Sequence, residues 1–168
     1  MQTDPMATYV RNAFRQVGNN LIKSAQEFPE DKYTVKLGTQ PETRTYASLL
    51  GHVIDANYAF CAQAKGEANP NSTDFEHSPG TKDQMVAAMQ AAIAYCTPAY
   101  DSLTDANAMQ SVTVQTGRGP MQIMKILPLL HDVIHNNEEY GNIVGYFRAN
   151  NLVPPSSENQ GGRGRRGE

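Results

Sequence analysis

Tryptophan is absent from the sequence, and no apolar run approaches the roughly 20 residues that a membrane-spanning helix needs. Cationic charge is also short: 14 Lys and Arg are outnumbered by 17 Asp and Glu, for a net charge of −3. That balance argues against nucleic acid or an anionic membrane as the main partner. The opening MQTDP has neither a basic start nor an apolar h-region, so no signal peptide is legible there. The expectation is a cytoplasmic protein, or an exported one whose signal has been removed. No glycine-rich phosphate loop follows a strand, no GxSxG occurs, and neither Ser48 nor Ser111 has an evident base partner. Cysteine occurs only twice, as Cys61 and Cys96, without the CxxC of a redox or zinc site. Two readings of that pair stay open: buried small apolar residues, or one interhelical disulfide, which would argue for an oxidising compartment.

What is present is helical periodicity. Val10, Phe14, Val17, Leu21, Ala25 and Phe28 form one stripe, so a first helix is expected over 4–28, with Asp4 as N-cap, Pro5 at the first helical position and Pro29 as the stop. A second helix begins near Thr43 or Thr45 and runs to Lys65, with Gly66 as its C-cap residue. A third spans Thr81 to Leu103, opened by a TKDQ capping box and carrying Pro98 inside. A fourth is expected from Gly119 to Asn150, interrupted by Pro128. SVTVQT, just before it, could be briefly extended but has no evident partner strand. Four amphipathic helices with long connections give an all-α four-helix bundle that permits a crossover topology. The domain is placed at 1–157. Residues 158–168 read as a flexible Arg/Gly-rich tail.

The chemistry concentrates in LHDVIHNNEEYGNIVGYFR, residues 130–148. His131, His135 and Glu139 fall at i, i+4, i+8, stacked along one side of a helix and each about 40° round from the last. Two imidazoles one turn apart are a common way to hold a divalent cation. His52, at the edge of the apolar stripe of the second helix, points toward a neighbouring helix and supplies one more ligand. Imidazole and carboxylate together suit Zn²⁺, Ni²⁺, Mn²⁺ or Fe²⁺. Taken singly, each histidine also fits a hydrogen-bonded, partly buried residue, and no HExxH of a zincin is present. His77 reads as an exposed loop histidine. Asp55 falls on the polar side of its helix and reads as solvated. Glu138 and Glu139 are general-base candidates, with surface charge the default for one of them. Tyr140 and Tyr146 are expected to pack or to cover the mouth of the site.

GHVIDANYAFC in the second helix, AYC in the third, HNNEEYGNIVGYFR in the fourth and the closing LVPPSS are together similar to the DinB-like (DNA-damage-inducible, YfiT-type) family. The resemblance covers about residues 5–157. It implies a four-helix bundle in up-down-down-up order, a homodimer, and a divalent metal held by three histidines. Carried over, His52 and His135 match two of those ligands. The third position holds Glu139, with His131 one turn earlier as the other candidate. The resemblance further implies a hydrolase, or a thiol-dependent transferase or isomerase in which the metal lowers the pKa of a cofactor thiol. It implies a small-molecule or thiol substrate and favours the disulfide reading of Cys61 and Cys96. The alternative is a non-catalytic, stress-related dimeric bundle with a degenerate or empty metal site.

Overall fold

The computed structural model describes residues 3–117 and 119–160. Apolar residues three and four apart build four helices: α1 (Pro5–Glu27), α2 (Tyr46–Lys65), α3 (Lys82–Asp101) and α4 (Ile126–Ala149). Their strongest contacts are α1 with α3 and α4, and α2 with α3 and α4. Thus α1 and α2 occupy opposite corners, and the chain needs the long connection between them to cross the bundle.

The helix ends largely follow their capping residues. Thr45 accepts a hydrogen bond from the Ser48 N–H at the start of α2, and Gly66 closes that helix at φ +68°. Thr81 and Gln84 form the expected reciprocal capping box. Asp4 stands at the N-cap position of α1 as expected, and its carbonyl accepts from the Thr8 N–H, but its side chain does not cap the helix. Its own φ is +58° and its side chain makes no cap bond. The carboxylate of Asp105 accepts instead from the N–H groups of Met6 and Ala7, at 3.3 and 2.7 Å, while Asp4 accepts from the Asp105 N–H. The cap is therefore supplied by the segment after α3.

Expectations about the segment before α4 need correction. SVTVQT does have a partner: β1 (Ser111–Thr116) pairs antiparallel with β2 (Gly119–Met124), from Ser111 opposite Met124 to Thr116 opposite Gly119. The fold is thus four helices plus a small hairpin, not all-α. For the same reason α4 begins at Ile126 and not at Gly119, whose φ of +106° no helix accommodates. Pro128 consequently lies in the first turn of α4, where its missing N–H had no helical partner to lose, and it interrupts nothing.

The core has two apolar clusters. One gathers Phe28, Tyr46, Leu50, Ile54, Met85, Met89 and Phe147; the other gathers Phe14, Cys61, Cys96, Tyr100, Leu103 and Leu129. Fully buried Asn57, Asp132 and Asn136 form a polar group on the facing sides of α2 and α4. Cys61 and Cys96 are joined in a disulfide between α2 and α3. Pro155–Gln160 forms a 3-10 segment, and Glu158 within it meets Lys23 at 2.6 Å. The remaining tail residues, 161–168, lie outside the described residues. Among the described residues, no helix is long and apolar enough to cross a membrane.

Candidate metal centre

Contacts between α2 and α4 run in opposite chain order. Cys61 lies beside Asp132, Asn57 bonds Asn136, His52 meets His135, and Arg44, just before α2, bonds Tyr146. The two helices are therefore antiparallel neighbours, and His52 faces the turns of α4 that carry His135 and Glu139. The i, i+4 spacing on α4 then puts both of those side chains on the facing stripe.

One donor atom from each of His52, His135 and Glu139 lies within 4.8 Å of the others. The two Nε2 atoms are 3.0 Å apart, and Glu139 Oε1 is 3.7 Å from His52 Nε2 and 3.9 Å from His135 Nε2. Donors about 2.0–2.1 Å from one tetrahedral ion would stand roughly 3.3 Å from each other. The observed edges bracket that figure, so two imidazoles and a carboxylate fit a single divalent cation in both chemistry and spacing.

The surroundings are polar on one side and apolar on the other. Glu139 Oε2 accepts from the Asn142 side chain at 2.9 Å, which leaves Oε1 turned to the histidines. Burial, together with the nearby His52 ring, lowers the pKa of His135. Its ring sits edge-on to Phe60. Its Nδ1 is buried and has no hydrogen-bond partner among the described residues. Behind His52, Nδ1 lies 2.8 Å from Glu76 Oε2, and Arg44 Nε donates to Glu76 Oε1 at 2.8 Å. Burial works to raise the Glu76 carboxyl, but the hydrogen bonds from His52 and Arg44 outweigh it and hold the group below the usual carboxylate range. Beside the centre opens a cavity of about 280 Å³ lined by Leu37, Arg44, Leu49, Glu139, Asn142 and Tyr146.

His131 is not brought into this group. It is exposed, one turn toward the start of α4, and stacks on Phe60 with ring centroids 4.9 Å apart. Glu138 is exposed too. His77 is exposed as expected, and its ring bonds Asp74. Asp55 is not simply solvated: it accepts from the Glu76 N–H at 3.0 Å and from Asn71 at 2.8 Å, tying the loop after α2 onto the helix. Tyr146 lines the cavity, whereas Tyr140 packs inward and accepts from the Ser156 N–H.

The sequence reading missed Arg44 and Glu76, which sit outside the helices and follow no period. It also missed the buried group of Asn57, Asp132, Asn136 and Tyr100, joined by bonds of 2.6–3.1 Å. Asp132 and Asn136 are one turn apart on α4, and that spacing was the available signal.

The chain matches the family model of the DinB superfamily over residues 13–135. None of the curated proteins matches it. Among solved structures it is similar to a DinB-like protein from Bacillus cereus, with 14% identity, TM-score 0.66, and coverage of 84% of this chain and 93% of that one. A DinB-like protein from Bacillus subtilis gives 14% identity, TM-score 0.64, and coverage of 86% and 94%. A mycothiol-dependent maleylpyruvate isomerase gives 16% identity and TM-score 0.59, with 86% of this chain and 62% of that one covered.

Proposed function

The chain belongs to the DinB superfamily, and from that premise we propose that it is a divalent-metal-dependent enzyme acting on a small molecule. The observation that carries this is the convergence of three donors, His52, His135 and Glu139, from α2 and α4. A bound Zn²⁺, Ni²⁺, Mn²⁺ or Fe²⁺ would supply Lewis acidity, lowering the pKa of a coordinated thiol or water. Asn142 orients Glu139 toward the ion position, and the cavity walled by Arg44 and Tyr146 receives the substrate. Thiol-dependent transfer or isomerisation is the favoured reaction type, with hydrolysis second. Its support is the fold likeness to a mycothiol-dependent enzyme.

The up-down-down-up helix order belongs to the same reading. Its support is that α1 ends beside the start of α2, through Tyr46 to Ser24, and starts beside the end of α3, through Phe14 stacked on Tyr100. The disulfide supports an exported setting over a cytoplasmic one. A homodimer completes the proposal.

Metal analysis of untagged protein tests it. The parent is expected to hold about one equivalent of metal, with His135→Ala and Glu139→Ala each losing it. No uptake by the parent when Zn²⁺, Ni²⁺ or Mn²⁺ is added near neutral pH would overturn the metal reading.

A further inference from the structure

Glu76 is held in place more firmly than a loop residue needs to be. Its backbone carbonyl accepts from Ser48 Oγ at 2.7 Å, its N–H donates to Asp55, and its carboxylate accepts from Arg44 Nε. All three partners lie on α2 or just before it. The approach is possible because residue 51 is glycine: a Cβ there would stand 2.1 Å from the carbonyl oxygen of Phe75. The free oxygen of the carboxylate ends 2.8 Å from His52 Nδ1.

That distance decides where the imidazole proton sits. A bare Nδ1 would oppose its lone pair to a carboxylate oxygen at hydrogen-bond range, so the proton lies between them and Nδ1 donates. The Arg44 Nη2 contact to the same nitrogen, at 3.3 Å, is then a neighbour and not its donor. With Nδ1 protonated, Nε2 of the neutral ring carries the lone pair, and Nε2 is the atom that faces His135 and Glu139. His135 lies 3.0 Å away and donates from its own Nε2 when no ion is present. Its Nδ1 is then bare, in keeping with the lack of any acceptor near that atom among the described residues. One imidazole of the centre is thus braced by a carboxylate and the other is not.

We propose that Glu76 is the positioning residue of this centre, fixing the His52 ring with Nδ1 protonated and Nε2 presented as a donor to the ion position. The ion itself rests on the metal reading above; the state of the His52 ring does not. Carboxylates behind ligating histidines set ring orientation and donor strength in this way, and losing one typically weakens metal binding about 10–100-fold.

Long-range ¹H–¹⁵N NMR of the metal-free full chain reads the ring directly. The parent is expected to show His52 as the Nδ1–H tautomer. Glu76→Ala should shift it toward Nε2–H, and Glu76→Gln, whose carbonyl still accepts, should retain part of the Nδ1–H form. Competition for Zn²⁺ against a chromophoric chelator should show Glu76→Ala weakened by about 10–100-fold, with Glu76→Gln between it and the parent. His77→Ala, next along the loop, should match the parent in both. Circular dichroism checks each fold, and Glu76→Gln carries the test if the alanine variant unfolds. The same His52 tautomer with and without the Glu76 carboxylate, or unchanged Zn²⁺ affinity, would overturn the proposal. A parent that takes up no Zn²⁺ removes the metal reading, and the tautomer measurement alone then decides the role of Glu76.

Discussion

At the scale of single residues, Asp132 is a carboxyl group enclosed in the core. It has no exposed surface. Burial raises its carboxyl to about 7, against partial opposition from hydrogen bonds donated by Tyr100 and Asn136. The folded chain therefore holds this proton more tightly than the unfolded chain, whose Asp titrates near the ordinary value of about 3.9. The stability the neutral group contributes is complete below the unfolded value and is lost as pH rises through about 7. Asp132→Asn removes the titration and keeps a carbonyl to accept from Tyr100. Relative to the parent, the variant should gain at pH 8 over pH 5 by at most about 3 kcal/mol, scaled from 1.36 kcal/mol per pKa unit over the roughly two units between pH 5 and the folded value of about 7. Urea unfolding of both proteins at the two pH values reads the gain, and an identical difference at both would show that Asp132 does not titrate there.

At the scale of elements, the loop after α2 does as much for the site as the helices. Gly51→Ala would drive a methyl into the Phe75 backbone, which cannot rotate away as a side chain could. Overpacking of this kind costs about 1–3 kcal/mol, or roughly 2–12 °C in Tm for a chain of this size. The displaced loop should also draw Glu76 off His52 and weaken Zn²⁺ binding. A Tm and a Zn²⁺ affinity both equal to the parent's would mean that the loop yields freely. This loop also marks the limit of what could be read from the sequence. The four helices announce themselves because burial on one side imposes a 3.6-residue period, and the same geometry aligns His135 with Glu139. His52 was legible from its place at the edge of an apolar stripe. Glu76 was not, because a loop bonded residue by residue has no period to betray it. The hairpin was missed for a related reason: GPMQIM continues without a break into the apolar pattern of α4, and only its pairing with SVTVQT separates the two. The Asp105 cap joins segments about a hundred positions apart, and a local reading of Asp4 had no means to detect it.

At the scale of the molecule, the disulfide and the donor group use different pairs of helices. Cys61–Cys96 ties α2 to α3 and closes a loop of 35 residues that contains Glu76. His52, His135 and Glu139 depend on α2 against α4. Loop-closure entropy for that length is worth about 4 kcal/mol of stability. Reduction, or the double variant Cys61→Ala/Cys96→Ala, should therefore lower the denaturation midpoint strongly. Zn²⁺ affinity, measured under conditions where the fold persists, should stay within a few-fold of the oxidised parent, because the α2–α4 pairing does not pass through α3. A thiol titration in denaturant should find no free thiol before reduction and two after it. If Zn²⁺ binding falls in step with stability, the centre is not carried by α2 and α4 alone. The bridge would then act through the loop it encloses, by letting Glu76 leave His52, and the His52 tautomer in the reduced protein would report that release directly.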